Sequence, residues 1–200
     1  MRLYHGDFGE VQSPKHTKAL NTQSLQITVG ATVKPDLYWI PGPWPGRLAI
    51  ATRPRGGDWL ENEIGALRQA RVDFIVSLLE ASEVDQFELE QERELAVSES
   101  VGFISFPIPD RGVPVSLPDA LSLFNRLATA LNQGKNVAVH CHQGVGRSGL
   151  VTASLLVASG IAVEKAIEIV SAARGQSVPE TPVQLEWLKH LPSELLVMAS

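Results

Sequence analysis

The sequence is poor in cysteine and contains no long apolar run. Cys141 is the single cysteine among 200 residues, so the chain cannot form an internal disulfide, and this favours a reducing compartment. No apolar stretch reaches the roughly 20 residues that a membrane-spanning helix needs. The opening residues MRLYHGDFGE lack the basic start and the apolar core of a secretion signal. We therefore expect a cytoplasmic protein that does not bind a membrane.

The sequence also lacks an excess of positive charge. Its 17 lysines and arginines face 22 aspartates and glutamates, which gives a net charge of -5. Such a chain has no overall basic field to hold nucleic acid or an anionic lipid surface, so we expect neither as a partner. An apolar content of 44% over 200 residues is sufficient for one ordinary core. This predicts a single globular domain.

Three regions differ in their residue patterns. Residues 1–23 are polar and aperiodic, so we expect an N-terminal arm that is flexible or loosely attached. Residues 24–191 form the predicted folded domain, and residues 192–200 form a C-terminal tail. The sequence contains no internal repeat and no low-complexity segment.

Short apolar runs of strand length alternate with amphipathic segments in the predicted domain. The runs predict strands at residues 25–31, 37–41, 47–52, 72–79, 102–108 and 136–140. The amphipathic segments predict helices at residues 58–71, 86–100, 116–134, 147–160, 162–175 and 181–191. Asp58 and Glu61 are expected to form a capping box for the first helix, and the second is expected to be solvated.

This alternation predicts an α/β fold. We expect a mainly parallel central sheet of four to five strands, flanked by helices on both faces, with short extra N-terminal strands. Ligands of such sheets bind beyond the carboxyl ends of the strands. His140 ends one of the predicted strands, so the residues that follow it are candidates for a binding site.

The segment HCHQGVGRSG, residues 140–149, joins that strand to a predicted buried helix. A glycine-rich turn in this position directs successive backbone N–H groups at one point, and the helix N-terminus adds partial positive charge there. The segment therefore predicts an anion site. A Walker-type nucleotide loop is excluded, because such a loop requires Lys followed by Ser or Thr.

Cys141 and Arg147 are separated by five residues in this segment. A guanidinium offers a planar pair of donors to two oxygens of a phosphate, and the loop amides bind the other oxygens. The cysteine then lies below the phosphorus. The same amides stabilise a thiolate, and a thiolate under a phosphoryl group is placed for in-line attack.

Residues 140–149 resemble the signature of the cysteine-dependent protein tyrosine and dual-specificity phosphatases. That signature is His-Cys, five residues, Arg, Ser or Thr, then Gly, and every fixed position matches. The resemblance extends over residues 37–191, is weakest at its N-terminal end, and is greatest to the compact group that includes the kinase-associated phosphatase. It implies that residues 24–191 are a catalytic domain that hydrolyses phosphotyrosine, or phosphoserine and phosphothreonine as well, through a phosphocysteine intermediate.

The resemblance implies a role for each residue of the signature. His140 orients the loop and helps to hold the thiolate, and Ser148 hydrogen-bonds the sulfur and eases its departure. The phosphate-binding residues are implied to be His142, Gln143, Gly144, Val145, Gly146 and Arg147. The expected ligands are a phosphorylated protein substrate and, in the same loop, phosphate, sulfate or vanadate. We expect no metal ion and no cofactor.

A general acid is also implied, on a mobile loop that follows the preceding strand. Asp110 is the candidate, because Pro109 and Pro114 bracket it and Gly112 can act as a hinge. Asp119 competes, but it lies in the first turn of the next predicted helix, where a carboxylate complements the helix dipole. We expect Asp110 to protonate the leaving oxygen and then to activate the hydrolytic water.

For several further residues, two interpretations remain open. Gln184 resembles the glutamine that orients the hydrolytic water in many of these enzymes, but Thr181 to Gln184 also form a complete T-x-x-Q helix cap. Glu80, at the end of a strand, either braces Arg147 or is simply solvated. Arg53 and Arg55 either form a basic lip for phosphosubstrates or have no specific role, and Arg111 either contacts the incoming substrate or is solvated surface.

The sequence also permits other functions. The same chemistry can act on an inositol polyphosphate or an RNA 5′-triphosphate, although the loop lacks the lysines that lipid-phosphate enzymes of this superfamily tend to carry. A catalytically silent phosphate-binding module is a further alternative. Redox chemistry of the arsenate reductase type typically recruits a second cysteine, which this chain lacks.

Overall fold

A computed structural model describes residues 34–191. The strands are β1 (Leu37–Ile40), β2 (Leu48–Ala51), β3 (Phe74–Ser77), β4 (Gly102–Ser105) and β5 (Val137–His140). The helices are α1 (Leu60–Gln69), α2 (Ala81–Gln86), α3 (Glu92–Ser98), α4 (Leu117–Asn132), α5 (Gly146–Ala158), α6 (Val163–Arg174) and α7 (Pro182–Lys189). The predicted arm at 1–23, the predicted strand at 25–31 and the predicted tail at 192–200 lie outside the described residues.

The strands form one five-stranded sheet in the order β1-β2-β5-β3-β4. β1 pairs with β2 in the antiparallel sense, and the other neighbours are parallel. This confirms the predicted α/β fold with a mainly parallel sheet. His140, the last residue of central strand β5, lies opposite Ala51 of β2 and Ser77 of β3. The carboxyl ends of these strands therefore meet at one edge of the sheet.

Helix α5 fixes the segment that follows β5. Every residue of α5 from Gly146 to Val157 is buried, because the helix packs against the sheet and against α4, α6 and α7. A helix that is buried all round is part of the core. The turn between β5 and α5 is thus held between two rigid elements.

The helix predicted at residues 86–100 is wrong as a single element. The chain instead forms α2, a turn with Glu88 at φ 55°, and then α3. The break turns Leu89 into the core, where it is 2% exposed. α3 is also not fully solvated, because Glu92 and Ala96 are buried.

The predicted start of the first helix is also incorrect. Asp58 lies in a short 3₁₀ turn, Gly57–Trp59, and α1 begins at Leu60 with no side chain capping its first turn. Two later helices are capped by side chains, and the one at Thr181 confirms the cap predicted for the last helix. Ser116 accepts a hydrogen bond from the amide of Asp119, and Thr181 accepts one from the amide of Gln184.

Across residues 34–191, the structure contains no helix with both the length and the apolar character required to cross a bilayer.

Candidate active site

The turn from Cys141 to Arg147 depends on glycine at one position. Gly144 has φ 67°, in the left-handed region, and a Cβ there would lie 2.9 Å from the carbonyl oxygen of Ala51. A larger residue would therefore be strained and would also collide with the end of β2. The first turn of α5 is packed equally closely, since a Cβ on Gly149 would lie 2.7 Å from Cβ of Val178.

This turn forms the floor of a cavity of about 130 Å³ at the carboxyl edge of the sheet. The lining residues come from three segments of the chain: Asp110, Arg111, Cys141, His142, Gln143, Gly146, Arg147 and Glu180. Cys141 is only 3% exposed. The thiol therefore lies at the bottom of a concave site, next to the backbone of a glycine-rich loop.

Arg147 is almost completely buried, with 2% of its surface exposed. Its Nη1 donates to Oε2 of Glu83 at 2.6 Å, and its Nη2 donates to Oε1 of the same carboxylate at 2.7 Å. Nη1 also donates to the carbonyl oxygen of Ile108 at 3.1 Å. These bonds fix the plane of the guanidinium at the cavity wall.

The ion pair shifts both pKa values. Burial alone would lower the pKa of Arg147, but the hydrogen bonds to Glu83 and the proximity of Cys141 and Asp110 raise it above its ordinary value. Burial opposes ionisation of Glu83, yet the hydrogen bond from Arg147 holds the pKa of this carboxyl below its ordinary value. Both groups are therefore charged at neutral pH.

Glu83 was missed by the sequence analysis. The sequence left open whether Glu80 braces Arg147 or is solvated; in the structure Glu83 makes that contact, and Glu80 caps α2 and accepts a hydrogen bond from the amide of Asp110 at 3.2 Å. The E-x-x-E spacing of Glu80 and Glu83 is that of a capping box at a helix start, and Glu83 does form a reciprocal capping box with Glu80. The helical turn then directs the second carboxylate, rather than the first, towards the guanidinium.

Asp110 lies at the mouth of the cavity. Its Oδ1 is 3.2 Å from Nη2 of Arg147, and its side chain is 65% exposed. Asp119 does not line the cavity and belongs to the first turn of α4, as its position in the sequence indicated. Of the two candidate acids, only Asp110 is near the thiol and the guanidinium.

The loop that bears Asp110 is fastened to the start of α7. Arg111 donates to Oε1 of Glu180 at 2.7 Å, and its carbonyl oxygen accepts from the hydroxyl of Thr181 at 3.2 Å. Arg111 has φ 58°, which is unusual for a residue other than glycine. Arg111 is thus a lining residue with an ionic partner, in addition to being exposed.

Gln184 completes this connection from a buried position. Its Oε1 accepts from the amides of Glu180 and Thr181, and its Nε2 donates to the carbonyl oxygen of Gly112 at 2.9 Å. The helix cap expected from the sequence is present. The side chain that lines the cavity from this segment is Glu180, not Gln184.

Two signature side chains lie behind the cavity floor. His140 is 1% exposed, and its Nε2 is 3.0 Å from Oε1 of Glu92, which is 2% exposed. Ser148 is fully buried in the first turn of α5. The Glu92 contact was not predicted, because the segment that forms α3 was expected to be solvated.

Aromatic and cationic side chains stack beside the cavity. The ring of His142 lies 4.7 Å from that of Phe87, and the guanidinium of Arg53 lies over Phe87 at 3.9 Å. Arg55 pairs with Glu63 and lies over Trp59. Neither arginine is among the residues that line the cavity.

Known proteins resemble the chain over the segments that build this site. A family model described as "Polymorphic toxin system, DSP-PTPase phosphatase" matches residues 49–161, which include β3 to β5 and the loop from Cys141 to Arg147. Cyclin-dependent kinase inhibitor 3 of Rattus norvegicus is 32% identical over 96 residues, which cover 47% of this chain and 45% of that protein. The chain spans about half the length of the curated relatives that it matches.

Two solved structures share the fold. Tk-PTP in its active form has a TM-score of 0.62 and 31% identity, with 73% of this chain and 91% of that chain covered. A kinase associated phosphatase (KAP) whose catalytic-site cysteine is substituted by serine has a TM-score of 0.73 and 19% identity, with 82% of this chain and 98% of that chain covered.

The Glu83–Arg147 pair predicts a pH-dependent loss of stability. Because the pKa of Glu83 is lowered on folding, its contribution is present at neutral pH and is lost as the pH falls through the lowered value. Glu83→Gln should therefore reduce the free energy of unfolding at about pH 7, and the deficit should shrink below about pH 4, the ordinary range of a glutamate. Urea unfolding at the two pH values measures this.

Asp85→Asn is the matched control, since Asp85 is exposed on the same helix. It should change the free energy of unfolding little at either pH. A Glu83→Gln deficit of equal size at both pH values would contradict the electrostatic account.

Proposed function

The chain belongs to the DSP-PTPase phosphatases of polymorphic toxin systems, whose family model matches residues 49–161, and from this premise we propose that it hydrolyses phosphate monoesters on proteins, phosphotyrosine above all, through a phosphocysteine intermediate. The resemblance inferred from residues 140–149 is confirmed by that match. One observation carries the proposal: Cys141, Arg147 and Asp110 line a single cavity.

In the first step, the thiolate of Cys141 attacks phosphorus, a sulfur–phosphorus bond forms, and the bond to the ester oxygen breaks. The guanidinium of Arg147 and the loop amides bind the phosphoryl oxygens as their charge develops. Asp110, in its protonated form, gives its proton to the leaving oxygen. Its exposed position at the cavity mouth suits contact with a leaving group that extends into solvent.

In the second step, water attacks the phosphocysteine and Asp110 accepts a proton from it. The sulfur leaves as a thiolate, phosphate is released, and Asp110 is again protonated. Ser148 and His140, both buried next to the loop, stabilise the departing thiolate in this proposal. Gln184 contributes by fastening Gly112 near the acid, because its amide is engaged in three hydrogen bonds.

The charges around the cavity favour a substrate with one phosphate. The two lining arginines already have acidic partners, since Glu83 pairs with Arg147 and Glu180 pairs with Arg111. No lysine lines the cavity in the described part of the chain. A second phosphate on an inositol polyphosphate would therefore meet no free cation there, and the stacked ring of His142 suits an aryl group better.

The nucleophile is tested by Cys141→Ser. We expect this variant to lose turnover of p-nitrophenyl phosphate and to retain binding of vanadate, because the loop amides and Arg147 are unchanged. Steady-state assays and a vanadate titration followed by intrinsic fluorescence measure the two properties. Turnover that survives the substitution would remove Cys141 from the mechanism, and vanadate binding without turnover by the wild type would identify a silent binding module.

The acid is tested by Asp110→Ala. Turnover near neutral pH should fall by roughly 10² or more, and the alkaline limb of the pH profile should flatten. The loss should be larger for phenyl phosphate than for p-nitrophenyl phosphate, because the poorer leaving group needs the proton more. Asp119→Ala is the control and should leave both rates near wild type. Equal losses with the two esters would argue against general-acid catalysis.

The substrate class is tested with matched substrates. Two peptides that differ only in phosphotyrosine or phosphothreonine should differ in kcat/KM by about tenfold in favour of phosphotyrosine, which corresponds to about 1.4 kcal/mol of transition-state stabilisation. An inositol polyphosphate and a 5′-triphosphorylated RNA should be poorer still. A higher kcat/KM for either polyphosphate would overturn the proposed substrate class.

A further inference from the structure

We propose that Glu92 is a positioning residue that acts on Cys141 through His140: it holds the imidazole in its charged form behind the cavity floor and so favours the thiolate. This inference deepens the proposed function and rests on it. Glu92 does not line the cavity, and it lies in a helix that the family signature does not include.

The burial of Glu92 beside His140 is unusual for a glutamate. Glu92 opens α3, yet it is 2% exposed, while its neighbours Arg93 and Glu94 are exposed. Its Oε1 is 3.0 Å from Nε2 of His140, which is 1% exposed. A carboxylate removed from water is costly unless a cation lies beside it. Among residues 34–191, His140 is the partner within 4 Å of Glu92 that can take a proton and supply that charge.

The charges around the His140–Glu92 pair also favour a protonated imidazole. The charged neighbours come from the segment after β2, from α2 and from α5: Arg53 acts electrostatically on Glu92, and Arg147, paired with Glu83, lies near Cys141. Asp110 and His142 lie on the cavity side. With Cys141 as thiolate, the negative groups around the loop are Glu92, Cys141, Glu83 and Asp110, and the permanent cations are Arg53 and Arg147. A proton on His140 reduces the resulting negative excess from two charges to one.

A purely structural role for the pair is a weaker explanation. Buried ion pairs contribute little net stability, because desolvation offsets their attraction. An apolar side chain at position 92 would pack against the same core with a smaller desolvation cost. The carboxylate has a specific consequence only through the charge that it stabilises on His140, the residue directly before the nucleophile.

The test uses the full chain and its single cysteine. Because Cys141 is the only thiol, the rate of alkylation by iodoacetamide between about pH 4 and about pH 9 reports its thiolate fraction alone. Glu92→Gln keeps the shape of the side chain and removes its charge. We expect the midpoint of the alkylation profile to rise by about one pH unit, a tenfold loss of thiolate below the midpoint. The acidic limb of kcat/KM should move in the same direction.

Glu94→Gln is the matched control, since it makes the same change at an exposed position of the same helix. It should leave the profile unchanged. Glu92→Met is the second variant, chosen because an apolar replacement of a buried charge often preserves folding, and it should give the same shift as Glu92→Gln. If either variant is folded and the midpoint stays at the wild-type value, the inference is overturned, even where the melting temperature falls.

The alkylation readout separates this inference from the proposed function. A shifted midpoint in a protein that turns over no phosphate ester would support the role of Glu92 and overturn the proposed activity. An unshifted midpoint in an active enzyme would overturn the role of Glu92 and leave the activity intact.

Discussion

The buried Glu83–Arg147 ion pair is the interaction on which the site depends. A guanidinium that is 2% exposed must be paired, and Glu83 supplies two parallel hydrogen bonds to it. The same carboxylate completes the cap of α2, and the guanidinium also bonds the carbonyl oxygen of Ile108. The segments after β3 and after β4 are thereby joined to α5. The buried guanidinium of Arg147 thus sets the position of three segments that approach the cavity.

The rest of the architecture places that charge next to the thiol. Parallel strands bring the ends of β2, β3 and β5 to one edge, and α5 is buried on all sides behind it. The floor of the cavity is therefore rigid. The opposite wall is held differently, by hydrogen bonds from Thr181 and Gln184 to the backbone of Arg111 and Gly112. A firm floor and a loop attached by a few polar contacts suit the proposed reaction, in which Cys141 is fixed and Asp110 moves.

Sequence reasoning succeeded where the determining interactions are local. The spacing of Cys141 and Arg147, the strand before them and the cap at Thr181 each depend on residues a few positions apart. It failed for Glu83 and Glu92, whose partners are distant in the chain; Glu83 and Arg147 are separated by 64 positions. A segment such as QFELEQERELA resembles a solvated helix, because an acidic residue is buried only when a cation from elsewhere meets it. That cation is visible only after folding.

The two carboxylates that contact Arg147 differ in how strongly they are held, and this difference affects how a phosphate dianion can enter. The side chain of Glu83 is 13% exposed and is bonded on both oxygens, whereas that of Asp110 is 65% exposed and contacts Arg147 by one oxygen. Incoming phosphate competes with both carboxylates for the guanidinium, and the exposed one is displaced at the lower cost, because water can solvate it as it moves. On the proposed mechanism, binding of the substrate therefore releases Asp110 from Arg147 while Glu83 keeps the guanidinium in place. Nη2 of Arg147 contacts the carboxylate of Asp110 before the substrate binds and the phosphate afterwards. The release of Asp110 is therefore coupled to the binding of phosphate in the loop.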